Sequence, residues 1–165
     1  MAGVRKSSYL QIRVTPRQKA ALRRLARDAR KDVSRFVLDR VLPDTGLRLQ
    51  SLLDGLAKTS QPQPVLAELG DVLMELPATE FTAAVRALDV RSLSEFHQAL
   101  IAAMVEDAAH RKRVAPPVWT SRIGPLPEPY FASELPSVRL HLLSRSPPPY
   151  RRRNIFLDAS LADRV

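Results

Sequence analysis

The 165-residue chain has no cysteine. That excludes disulfides, thiolate metal ligands and cysteine nucleophiles, and it suits a reducing cytosol. Aromatic residues make up only 5% of the chain, so Leu, Val and Ala carry the apolar load, a bias towards helices. Long apolar runs are also missing. The longest, Ala99–Val105, falls far short of the roughly 18–20 residues that span a bilayer. Arg5 and Lys6 are followed by no apolar segment, which argues against a secretory signal. His97, His110 and His141 are scattered without metal-ligand spacing. No phosphate loop, no nucleophile beside a base and no recognisable carboxylate pair is present. These absences predict a soluble, cytoplasmic protein that is not an enzyme and needs no metal or cofactor.

Charge is abundant but unevenly placed. Residues 1–43 hold 12 Lys/Arg and 3 Asp/Glu, a net of +9, and residues 44–165 hold 14 of each. All of the net charge therefore belongs to a short N-terminal module. Concentrated cations of this kind suit a polyanion, most often DNA phosphate.

Within that module Leu10, Ile12 and Val14 alternate with Gln11, Arg13 and Thr15. The period of two predicts a strand with one apolar face. A lone strand needs a partner, so the module is expected to pair with a second copy as a homodimer. Thr15-Pro16 is a helix start, with Thr as N-cap and Pro as first residue. Leu22, Leu25, Ala26 and Ala29 then share one helical face, and Arg17, Lys19, Arg23, Arg24, Arg27 and Arg30 occupy the other. A break at Arg30-Lys31-Asp32 precedes a second helix from Val33 or Ser34, with Phe36, Val37 and Val41 inward and Pro43 as its end.

The run Ile12-Arg13-Val14-Thr15-Pro16-Arg17-Gln18-Lys19, then Leu22, then Val33-Ser34-Arg35-Phe36-Val37-Leu38 resembles the ribbon-helix-helix family of DNA-binding proteins, most of all its antitoxins. The family often has Gly in the inter-helix turn, where this chain has Lys31-Asp32. The resemblance implies a dimeric ribbon in the major groove of operator DNA, with Gln11, Arg13 and Thr15 reading base edges. Arg can bind guanine and Gln adenine in bidentate fashion. It further implies that backbone N–H groups at Val33 and Ser34 hold a phosphate, with Arg5 and Lys6 adding phosphate contacts.

Residues 44–113 read as a helical middle. Leu47, Leu49, Leu52, Leu53 and Leu56 predict a short amphipathic helix, and Leu66, Leu69, Leu73 and Leu76 a second. Between them, Thr59-Ser-Gln-Pro-Gln-Pro64 is the expected hinge between the DNA module and the rest. Thr79 is expected to cap the next helix. Ser92-Leu-Ser-Glu95 has capping-box spacing and opens the longest helix, through about Arg113, with Phe96, Leu100, Ile101, Met104, Val105 and Ala108 as its apolar face.

Nine of the 14 prolines lie between Pro116 and Pro149, so residues 114–165 are expected to form an extended tail. The tail holds the only Trp and two of the three Tyr, which separates it from ordinary disordered sequence. Val138–Leu142 and Asn154–Leu157 alternate or cluster as edge-strand candidates. Extended chain with large apolar anchors suits wrapping around a partner protein, the alternative being that it packs back on its own helical middle. The candidate contacts are Trp119, Tyr130, Phe131, Tyr150, Arg152 and Phe156.

The expected fold is thus mainly α: a ribbon-helix-helix module (one strand, two helices, dimeric) over 1–43, a helical middle over 44–113 and an extended proline-rich tail over 114–165. The resemblance implies an antitoxin that blocks a cognate toxin protein through its C-terminal region and represses its own operon. The alternative is a stand-alone ribbon-helix-helix repressor or partition-type DNA-binding protein. The sequence leaves the toxin's chemistry and the operator open.

Overall fold

The computed structural model describes residues 11–34, 36–37 and 44–158. The chain divides into two units, Met1–Val41 and Leu42–Val165. The boundary is thus at residues 41 and 42, and Thr59–Pro64, the expected hinge, falls inside the second unit.

In the first unit, helix α1 runs Pro16–Asp28. Thr15 caps it in a complete capping box, its hydroxyl accepting from the Gln18 backbone while the Gln18 side chain receives the Thr15 N–H. The far end closes on Arg30 in the left-handed region, φ 52°. Lys31 N–H bonds to Ala26 O and Arg30 N–H to Arg27 O, the paired bonds of a Schellman motif. The turn between the helices thus places Arg at the left-handed position that glycine usually fills. Val33, Ser34, Phe36 and Val37 are helical. Among the unit's described residues only Ala26 and Phe36 are buried.

The expected N-terminal strand is a correction. Residues 11–15 have no regular structure, and the first element is α1; Leu10 lies outside the described residues. Alternation defines a face, but a ladder also needs a second extended segment to satisfy its N–H and C=O groups. The described part of the unit supplies none, and Ile12 and Val14 remain 60% and 41% exposed. Among the described residues the one-strand, two-helix module is therefore not the arrangement found.

The second unit opens with α2 (Asp44–Leu56), α3 (Pro62–Glu75) and α4 (Ala78–Val85). Pro77, not Thr79, is the N-cap of α4. Helix α5 (Glu95–Arg111) follows, capped by Ser94, whose hydroxyl accepts from His97 N–H. Residues Ala99–Glu106, Ala108 and Ala109 of α5 are all buried. Burial around the whole circumference makes α5 the axis of the unit rather than a surface helix. Each fully buried Leu or Ile along it contributes roughly 1.5–3 kcal/mol of transfer free energy. Helices α3 and α4 pack against α5. Helix α2 crosses α4 closely, and a Cβ on Gly46 would lie 3.2 Å from the Ala84 carbonyl.

The C-terminal region also packs against α5, a second correction. Residues 114–158 are not an extended tail. They form a 3-10 turn (Val118–Arg122), strand β1 (Tyr130–Phe131), helix α6 (Pro136–Arg145), helix α7 (Pro148–Arg151) and strand β2 (Ile155–Phe156). The strands pair in parallel, Tyr130 with Ile155 and Phe131 with Phe156. This is the only sheet among the described residues. Val138–Leu142, expected as an edge strand, is part of α6, whose one fully buried side chain is Leu142. Proline did not prevent this folding because Pro136 and Pro148 occupy first helical positions, where the missing N–H has no intrahelical partner in any case. Leu126, Tyr150, Ile155 and Leu157 join the core built by α2–α5. Among the described residues, no helix is long and apolar enough to cross a membrane.

Candidate nucleic-acid interface

The cationic surface belongs to α1 and the turn after it. Arg17, Lys19, Arg23, Arg24, Arg27, Arg30 and Lys31 are all exposed. The first turn of α1 contains no acidic residue, and the capping box starts the helix without a carboxylate. Arg17, Ala20, Ala21, Arg24, Arg27 and Asp28 line an open concavity of about 670 Å³. Their spacing of three and four residues places them along one side of the helix. The floor is alanine, and the cations that stand around it are all arginines. Sequence reasoning assigned the arginines to the polar face but passed over Ala20 and Ala21. The available signal was a pair of small residues flanked at three- and four-residue intervals by arginine.

The expected base readers fare differently. Gln11, Arg13 and Thr15 lie on the irregular segment before α1 and are exposed. The Thr15 hydroxyl is engaged in the cap, 3.3 Å from Gln18 N and 3.1 Å from Gln18 Oε1, so it is not free to address a base. Val33 and Ser34 begin the second helical segment and are exposed. Asp32 immediately precedes them, and its carbonyl accepts from Phe36 N–H at 2.8 Å. A phosphate at that point would meet a carboxylate charge. Arg5 and Lys6 lie outside the described residues.

Of the expected partner contacts, most are engaged within the chain. Trp119 is half-buried and its indole N–H donates to Val85 O at 2.9 Å. Tyr150 is 2% exposed. Phe131 and Phe156 stack on each other, with centroids 4.8 Å apart, and the Arg139 guanidinium lies over Phe131. Tyr130 leans on Phe96 at 4.6 Å but stays 43% exposed. Arg152 donates to Glu106 Oε2 at 2.7 Å. The apolar residues that do face solvent in this region are Val118, Leu135, Leu140 and Leu143.

Elsewhere the polar chemistry is structural. Lys112 Nζ donates to Met74 O at 2.7 Å, close to the end of α3, and lies over the Phe81 ring. Gln50 and Asp89 exchange side-chain and backbone bonds at 2.8 and 3.1 Å. Burial pushes the His97 pKa down, and its Nδ1 is 3.1 Å from the Ser94 hydroxyl. No group of three potential metal ligands occurs among the described residues.

Comparison with protein-family models, with curated proteins and with solved structures gives no match to this chain.

Proposed function

We propose that this protein is a DNA-binding regulator whose first unit contacts the phosphate backbone of duplex DNA and whose second unit is an electroneutral helical domain. One observation carries this reading. The net charge of +9 resides in residues 1–43, and the cations of α1 are displayed on an exposed helix face. Such a surface binds DNA mainly by releasing condensed counterions, so affinity should fall steeply with salt. The test is fluorescence anisotropy of the full chain on a labelled duplex across a salt series. Sub-micromolar binding at low salt with a steep slope is expected. Salt-independent binding, or none, defeats the reading.

The unit is also proposed to associate in pairs. Ile12, Val14, Leu25 and Val33 are exposed apolar residues on a unit with very few buried ones among its described residues, and a unit of about 40 residues rarely stands alone without such help. Sedimentation showing a monomer at micromolar concentration would refute it.

Between the two regulatory layouts, the stand-alone DNA-binding protein is the better supported. Of the aromatic anchors that would wrap a toxin, Tyr150 lies in the second unit's own core, Trp119 packs against it, and Phe131 and Phe156 stack on each other. The antitoxin remains a second reading on one specific ground: Leu135 and Leu140 are 63% and 71% exposed, an apolar surface on the region expected to hold a partner. Co-purification with the product of an adjacent reading frame, lost in Leu140→Glu, would favour it over the first.

A further inference from the structure

We propose that the concave side of α1 receives one phosphodiester backbone of the DNA duplex, which approaches closely because Ala20 and Ala21 form its floor. This rests on the DNA-binding reading above and assigns its contact surface. The lining is Arg17, Ala20, Ala21, Arg24, Arg27 and Asp28, around an open concavity of about 670 Å³. Along the helix axis Arg17 and Arg24 are about 10 Å apart and Arg27 is about 5 Å further on. The guanidinium groups thus form a row rather than a cluster, which fits a linear polyanion better than a single anion. None of the three arginines is ion-paired among the described residues.

Residue type agrees with position. The planar guanidinium binds phosphate oxygens through two parallel N–H bonds, and lysine offers only a point charge. Among the described residues the lining cations are all arginine, while Lys19, the one lysine of α1, is not part of the lining. A larger side chain at position 20 or 21 would hold the backbone away, whereas alanine leaves room and is the best helix former. None of the described residues that line the concavity is aromatic, so they offer no platform for stacking a base. The contact is to phosphate, and it positions the protein without reading sequence. Asp28 stands at the C-terminal end of the row and repels phosphate there.

The experiment is anisotropy of the full chain on a 20-base-pair duplex of mixed sequence, over a series of salt concentrations, with helicity checked by circular dichroism. Ala20→Leu keeps every charge and the helix propensity. It is expected to weaken binding at least tenfold and to flatten the salt dependence. Arg24→Ala should lower the slope of log K against log salt by about 0.9, the loss of one neutralised phosphate. Lys58→Ala, an exposed lysine of the second unit, should leave that slope within error of the wild type. Asp28→Asn, which fills nothing, should tighten binding several-fold. Binding by Ala20→Leu within twofold of the wild type, or no tightening by Asp28→Asn, overturns the proposal while the DNA-binding reading survives. A wild-type chain that fails to bind duplex at low salt overturns both, and the absence of wild-type binding tells this case apart.

Discussion

Arg153 and Glu106, 47 residues apart in sequence, form a buried two-pronged ion pair. Arg153 Nη1 reaches Glu106 Oε2 at 2.9 Å, and Nη2 reaches Oε1 at 2.8 Å. The same guanidinium donates to Pro149 O and Thr120 O. Arg153 thereby fastens the 3-10 turn and α7 to the central helix. Burial pushes the Glu106 carboxyl up, but the Arg153 hydrogen bonds and the charges of Arg153 and Arg152 outweigh it and hold the group below its ordinary value. Arg153 Nε is buried with no hydrogen-bond partner, so even this well-connected site carries one unsatisfied donor.

Removing one member should be far worse than removing both. Glu106→Gln leaves the Arg153 charge buried and unneutralised, and a loss of about 3–5 kcal/mol is expected. The pair Glu106→Leu with Arg153→Met replaces charge by apolar volume and should recover most of that loss. Urea unfolding followed through Trp119, the only Trp, measures both. A single-variant loss below about 1 kcal/mol would mean that water reaches the site.

The carboxylates give the acid response a definite sign. Glu106 lies below its ordinary value. Asp89 is lowered to about 2 by the Arg91 side-chain and backbone hydrogen bonds. A carboxyl held lower in the folded state binds fewer protons there than in the unfolded chain. Its contribution is present above the unfolded value and is lost as pH falls through the folded one. Stability should therefore fall most steeply below about pH 4.5, after a smaller decline that begins near pH 6.5, because burial pushes the His97 pKa down in the folded state. Asp89 is exposed, so its share should shrink in high salt and be absent in Asp89→Asn. The early step should vanish in His97→Gln, and its persistence there would refute the assignment to His97.

How far the sequence reached differs from one part of the chain to another. The helical middle was legible because its stripes are long: Leu66, Leu69 and Leu73 lie inward on α3, and Leu100, Ile101, Met104 and Val105 on α5. The N-terminal strand was misread because three alternating apolar residues describe a face and say nothing of a pairing partner. The density of proline hides the folding of the C-terminal region, because Pro136 and Pro148 start helices and do not bar them. Val138–Leu142 shows the same ambiguity at small scale, since a short apolar run has no period long enough to choose between strand and helix. Glu106 left no signal. A single acid in the apolar stretch of α5 gains meaning only when Arg152 and Arg153 are brought to it by a fold. The concavity on α1 was half legible, in its arginines but not in its alanine floor.

Arg113 offers a stabilising change. It is exposed and lies in the left-handed region at φ 57°, where Val114 N–H bonds to Ala109 O and Arg113 N–H to His110 O. These are the bonds of a Schellman cap, whose left-handed residue is usually glycine. A side chain in that conformation costs about 1–2 kcal/mol, partly offset by the greater freedom glycine loses on folding. Arg113→Gly should therefore raise stability by about 0.5–1 kcal/mol. A lower melting temperature would show that the Arg113 side chain contributes more than its backbone strain costs.

The last prediction concerns the need for the C-terminal region. If residues 114–158 were an accessory tail, a chain ending at Arg113 would keep a folded second unit. The packing says otherwise. Leu126, Tyr150, Ile155 and Leu157 belong to the same core as Leu69, Phe81 and Val105. The Trp119 indole closes against Val85 O. Removing residues after Arg113 exposes one side of α5, a helix buried around its whole circumference, and leaves Glu106 without either arginine. The truncated chain should keep helical circular dichroism but lose its cooperative thermal transition and bind a hydrophobic dye, the marks of a loosely packed state. Trp119→Phe is the local counterpart: it removes one hydrogen bond to a backbone carbonyl and should cost about 1–3 kcal/mol without loss of cooperativity. A chain of residues 1–113 that unfolds cooperatively at the full-length midpoint would show that α2–α5 form a complete core by themselves, and the C-terminal region would again be available as a partner-binding arm.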